Sequence, residues 1–176
     1  FSELPDEDVE ALLKVTGEDD FQLRIVPALN GITSSADEVI KRVKELKSRS
    51  TERLRLGQVK LMADGSIQGF TARLNWPGYL GGKPNGIWNS PPEQLREQII
   101  KLHSKGIHLH IHVNGDEASE AGLDALEEAM QLHPRSDTRH VLQHCQMDQL
   151  LSFQQLRIKQ DYKLYITLQV QQLTFG

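Results

Sequence analysis

The chain has 176 residues, 38% of them hydrophobic and 25% charged, with a formal net charge of −4 and seven histidines. That balance excludes a disordered chain, and the lack of a basic patch excludes nucleic acid as a partner. No apolar run approaches the roughly 20 residues of a membrane span, no signal-peptide pattern opens the chain, and the lone Cys145 cannot close an internal disulfide, so a cytoplasmic protein without a membrane partner is expected.

Residues 6–15 read as an amphipathic helix. Residues 21–29 (FQLRIVPAL) read as a strand with Pro27 late in it. Over residues 36–47, Val39, Ile40, Val43 and Leu46 recur at helical spacing behind Ser35, a plausible N-cap. Residues 58–63 form a short strand. Residues 92–105 form a helix with Leu95, Ile99, Ile100 and Leu102 apolar, Pro92 in its first turn and Gly106 as its stop. A strand over 107–113 and a helix over 116–132 follow, then a strand over 139–144, a helix over 147–160 and a last strand over 162–170. Strands alternating with helices of this length argue for parallel β-α units.

Each strand has one apolar and one largely polar face. Lys60, Met62 and Asp64 oppose Val59, Leu61 and Ala63; Lys163, Tyr165, Thr167 and Gln169 oppose Leu164, Ile166, Leu168 and Val170. In the strand over 139–144, His140 and His144 are expected to share a face. A doubly wound sheet is covered on both sides and reads as continuous apolar runs. One polar face instead favours a (β/α)8 barrel, with helices outside and chemistry inside. About five strands are present, against a usual barrel length of about 250 residues. Residues 1–176 are therefore expected to be one partial barrel, with open strand edges that favour self-association into a homo-oligomer.

Three of the histidines, His108, His110 and His112, lie on one face of a single strand. Imidazoles aligned in this way suggest a metal site or proton transfer. His112 is nearest the C-terminal end of its strand, where a parallel barrel places its chemistry. His144 ends the next strand, and two such imidazoles can point at one ion; a core histidine bonded to a backbone carbonyl is the alternative. His108 reads as structural. Cys145 has the opposite parity and reads as a small buried residue. Lys60 lies mid-strand on the inward face, where a lysine needs a partner or loses its charge. Asp64 could be a ligand, a substrate contact or a turn residue, and Asp116 reads first as a helix cap. The glycine- and proline-rich loop over 65–91 carries Trp76, Tyr79 and Trp88. A loop of that length and aromatic content reads as a lid over substrate. Its Gly81-Gly82-Lys83 lacks the spacing of a phosphate-binding loop.

Taken together and in order, Val59-Lys60-Leu61-Met62-Ala63-Asp64-Gly65-Ser66 with Thr71-Ala72, then His110-Ile111-His112-Val113-Asn114-Gly115-Asp116, then Arg139-His140-Val141-Leu142-Gln143-His144 resemble the amidohydrolase superfamily. The closest branch is the metal-dependent hydrolases that include N-substituted formamide deformylases. The resemblance implies a (β/α)8 (TIM) barrel holding one or two divalent metals, usually zinc. It makes Lys60 the strand-four lysine, carboxylated where two metals are bridged, and His112 and His144 the strand-five and strand-six ligands. Gln169 falls in a segment that lines the substrate site in such proteins, and Asp64, His110, Trp76 and Tyr79 are further candidates to touch a small-molecule substrate. The family's first-strand HxH pair and its proton-shuttling strand-eight aspartate have no counterpart here, so no catalytic residue is identified, and the chain reads as about strands 3 to 7 of a longer barrel. The activity implied is hydrolysis of an amide or other non-peptide C–N bond through a metal-activated hydroxide. The alternative is a catalytically incomplete barrel fragment or pseudoenzyme that acts in binding or assembly.

Overall fold

Strand alternation and helix capping build the architecture directly. The structure, a computed structural model, describes residues 3–147 and the backbone of residues 164–168. Its elements run α1 (Asp6–Thr16), β1 (Ala28–Asn30), α2 (Ala36–Lys47), β2 (Gln58–Met62), α3 (Pro92–Ser104), β3 (His108–Val113), α4 (Asp116–Leu132), β4 (His140–His144) and β5 (Leu164–Leu168). The helix expected over 147–160 lies outside the described residues. The strand expected over 21–29 is shorter than its sequence pattern. Pro27 has no N–H to give a ladder, so regular pairing begins only at Ala28, and Ile25 makes an isolated bridge to Leu54.

All five strands pair in parallel, in the order β1-β2-β3-β4-β5. Spatial order equals chain order, so the winding never reverses as it does at the switch point of a doubly wound sheet. β3 shows why one face is buried: Leu109, Ile111 and Val113 are inaccessible, while His108, His110 and His112 between them are half-buried. The apolar face packs with Val39, Val43 and Leu46 of α2, Leu95, Ile99 and Leu102 of α3, and Leu126, Ala129 and Met130 of α4 in one core. Each fully buried side chain of this kind contributes about 1.5–3 kcal/mol of burial free energy.

α2 begins with the expected cap. The Ser35 hydroxyl accepts from the Glu38 N–H while the Glu38 carboxylate accepts from the Ser35 N–H, a reciprocal capping box. The Ser35 hydroxyl, which also donates to the Glu38 carboxylate at 2.8 Å, and then the Ser35 N–H hold the Glu38 carboxyl below its ordinary value. α3 carries Pro92 at its first position, and Gly106, at φ +73°, turns the chain out of the helix. No helix of the described residues is long and apolar enough to cross a membrane.

Candidate metal centre

The polar faces of the strands meet over a cavity of about 540 Å³, lined by Ala28 of β1, Gln58, Lys60 and Met62 of β2, His110 and His112 of β3, and Gln143 and His144 of β4, with Val26 and Pro27 at its edge. Register explains the grouping, since Lys60 is opposite His110, Met62 opposite His112, and His112 opposite Gln143. The cavity therefore brings together Lys60, His110, His112 and His144. The His112 and His144 rings stand edge to face, 4.7 Å between centroids.

His144 reaches the cavity by breaking the strand's alternation. His140 does not share its face. His140 is fully buried beside Leu142 and bonds to His103 of α3. Strict period two would have sent His144 the same way. Instead its backbone turns to φ 81°, and Cys145 follows at φ 44°. Left-handed backbone at a non-glycine residue costs of order 1–3 kcal/mol and clusters at functional sites. The turn sets His144 beside Gln143 and drops Cys145 into the apolar core, so Cys145 is the small buried residue expected, though through the turn rather than through parity.

His112 is held by its surroundings. Its Nε2 lies 2.8 Å from the Gly65 carbonyl and 3.7 Å from the Asp64 carboxylate. Asn114 Nδ2 is also near, at 3.1 Å, but it donates to the same Gly65 carbonyl at 2.7 Å. A carbonyl and a carboxylate at Nε2 favour the proton there, which leaves the lone pair on Nδ1. That is the arrangement by which a second shell prepares a metal-binding imidazole. Burial lowers the His112 pKa, the Gly65 carbonyl and Asp64 partly restore it, and His144 and Lys60 lower it again. Burial, with Lys60, also lowers that of His110. Lys60 is 6% exposed, and burial pulls its amine down to about 8. Its Nζ donates to Gln143 Oε1.

The other sequence candidates stand elsewhere. Asp64 does not line the cavity and is wholly buried, so it offers no surface to a substrate. Its Oδ1 accepts from the Asn114 N–H at 2.9 Å, and its Oδ2 from the Gly115 and Arg73 N–H groups at 2.8 and 3.0 Å. Burial raises its pKa, and those backbone bonds, with His112, offset part of the rise. Trp76 is 93% exposed and outside the lining. Tyr79, also outside it, donates its hydroxyl to the Ala72 carbonyl and packs edge-on to Phe70. Gln169 lies outside the described residues.

The base of the 65–91 loop is pinned to α4. Arg73 pairs through two nitrogens with Glu117, Asn85 bonds to both Leu74 and Glu117, and the Asn75 N–H donates to the Asp116 carboxylate. Asp116 is thus the first residue of α4 with Gly115 as its N-cap, and its Oδ1 anchors the loop while also accepting from the Glu117 N–H of the first turn at 3.1 Å.

Gln143, like Gln58 on β2, is a polar cavity residue that the sequence reading missed. The available signal was Leu142, whose apolar side chain opposes Gln143 in period two; giving His140 and His144 one parity concealed it.

The donor chemistry fits part of a divalent metal site. Neutral imidazoles from two neighbouring strands suit zinc, whose catalytic sites take three protein ligands and a water. Among the described residues no three His, Cys, Asp or Glu side chains are grouped for a metal ion; the third candidate donor is Lys60.

Parallel β-α winding with a histidine- and lysine-lined cavity on the polar face of the sheet defines a class, the β/α proteins built around a polar strand-end site. Within that class a family model described as "Amidohydrolase family" matches residues 4–164, and the chain belongs to that family. A Bacillus subtilis (strain 168) protein named "Putative amidohydrolase YtcJ" is 33% identical over 103 residues, covering 58% of this chain and 19% of that protein. Two crystal structures share the fold, each described as an uncharacterized metal-dependent hydrolase. The one from Pyrococcus furiosus has a TM-score of 0.65 at 23% identity over 88% of this chain and 31% of its own. That from Pyrococcus horikoshii OT3 has a TM-score of 0.65 at 20% identity over 89% and 30%. The chain thus spans about a fifth of the curated relative and under a third of each solved structure.

Proposed function

We propose that these residues form one wall of the reactive site of a metal-dependent hydrolase that cleaves an amide or another non-peptide C–N bond of a small-molecule substrate. The observation that carries this reading is the His112–His144 ring pair, 4.7 Å apart, in the cavity that also holds Lys60. His112 and His144 would hold a divalent ion, zinc by donor type, and Lys60 would join them after carboxylation. Once bound, the ion lowers the pKa of a water towards neutrality and polarises the substrate carbonyl.

The chain's own groups support this reading. The Gly65 carbonyl and Asp64 orient His112. Carboxylation needs the neutral amine, and with a pKa of about 8 roughly a tenth of Lys60 is neutral at pH 7, several hundred times more than for an ordinary lysine. The sequential parallel winding, with the described helices α2, α3 and α4 on the apolar face, supports a (β/α)8 barrel as the parent fold. Family membership makes amides the first substrates to try, and the sequence resemblance adds N-substituted formamides.

A second reading, a catalytically incomplete unit used in binding or assembly, is favoured by the lack of a grouped His, Cys, Asp or Glu triad among the described residues. A panel of N-substituted formamides and amides, assayed with the full-length protein after chelation and again after zinc is restored, separates the two. Hydrolysis that disappears and returns supports the hydrolase. No metal-dependent hydrolysis across the panel supports the second reading.

A further inference from the structure

Gln143 stands between two groups of the cavity. Its Oε1 accepts from Lys60 Nζ, and its Nε2 lies 3.1 Å from His110 Nδ1. An amide nitrogen only donates, and so does a protonated lysine. With Lys60 protonated, the amide turns its oxygen to Lys60 and its NH₂ to His110, because the reverse orientation sets donor against donor. A Lys60 nitrogen carrying CO2 keeps one N–H, so this orientation survives carboxylation. His110 Nδ1 then accepts from the amide NH₂. His110 lines the cavity, and no partner for its Nε2 is found among the described residues.

We infer that Gln143 is a positioning residue that fixes His110 as the Nε2–H tautomer, so that His110 serves the cavity as a hydrogen-bond donor to an oxygen of a bound carbonyl or carboxylate compound and not as a metal ligand through Nε2. His110 and His112, two residues apart on one strand, thus take different roles through their neighbours. The Gly65 carbonyl leaves the His112 lone pair on Nδ1, and the Gln143 amide places the His110 proton on Nε2. The nature of the bound compound rests on the proposed hydrolase reading; the tautomer does not.

The test is nitrogen NMR of the intact protein labelled with 15N-histidine, with His110 assigned by loss of its signals in His110→Gln. The wild type should show His110 Nδ1 at the unprotonated shift and Nε2 at the protonated one. Gln143→Glu, whose carboxylate only accepts, should move Nδ1 to the protonated shift. Should that variant misfold, Gln143→Leu should collapse the single tautomer to a mixture. A protonated Nδ1 in the wild type, or a pattern indifferent to Gln143 in a folded variant, overturns the inference. Metal content and hydrolysis are measured separately, so either idea can fail while the other stands.

Discussion

His103 of α3 and His140 of β4 meet through Nδ1 and Nε2 at 2.8 Å, with both rings wholly out of solvent. The Leu109 N–H donates to His140 Nδ1 at 3.2 Å, so His140 carries its proton on Nε2 and donates to His103 Nδ1. His103 in turn donates from Nε2 to the His133 carbonyl at 2.8 Å. Three directed bonds leave no place for an extra proton on either ring.

Acid should therefore loosen the fold. Burial pulls His140 down to about 3, with His103, Arg135, His108 and His110 adding to the effect, and burial also lowers His103. The unfolded chain binds these protons near the ordinary histidine value of about 6.5, while the folded chain does not. Their contribution is complete above about pH 6.5 and falls away as the pH drops towards 3, with His140 alone giving a slope of about 1.4 kcal/mol per pH unit. Urea midpoints at stepped pH should decline through this window, and less steeply in His140→Gln. A flat profile would sink the idea.

Asp64 is predicted to be a structural staple. Its three backbone bonds tie the end of β2 to the end of β3 and to the loop at Arg73. In Asp64→Asn the amide NH₂ faces buried N–H donors, so the variant should be less stable by about 2–4 kcal/mol. Denaturant unfolding checks this, and an unchanged midpoint would return Asp64 to the list of substrate contacts.

Gly115 marks a close approach of two backbones. A Cβ there would lie 1.7 Å from the Arg73 carbonyl oxygen, and backbone cannot swing aside as a side chain can. Gly115→Ala should lower stability by about 3 kcal/mol or more and release the loop from α4. Gly82, whose added Cβ meets nothing within 4 Å, supplies the comparison. Gly82→Ala carries only the strain of its φ of +71°, about 1–2 kcal/mol. Thermal melts that show equal losses in the two would refute the close-approach argument.

Much of the fold was legible because periodicity and caps are local. Ser35, Pro92 with Gly106, and the alternation of β3 each announce an element without tertiary help. The inward positions of Lys60 and His112 followed from the same alternation. Parity failed at β4, where a left-handed turn at His144 cannot be read from residue type, so His140 was given to the wrong face and Gln143 was overlooked. The surroundings of Asp64 and Trp76 were not legible for a related reason. A carboxylate's partners and an aromatic's exposure are set by residues far along the chain, here Asn114 and Gly115 for Asp64.

In the proposed metal site His112 and His144 share a divalent ion. Zinc per protein molecule, measured by elemental mass spectrometry on the full-length protein, tests it in His112→Ala, His144→Ala and His108→Ala, the last carrying the imidazole that lies on the same strand but outside the cavity lining. Bound zinc is expected to be lost in the first two and retained in the third; unchanged zinc in both His112→Ala and His144→Ala would show that the two imidazoles hold no shared ion.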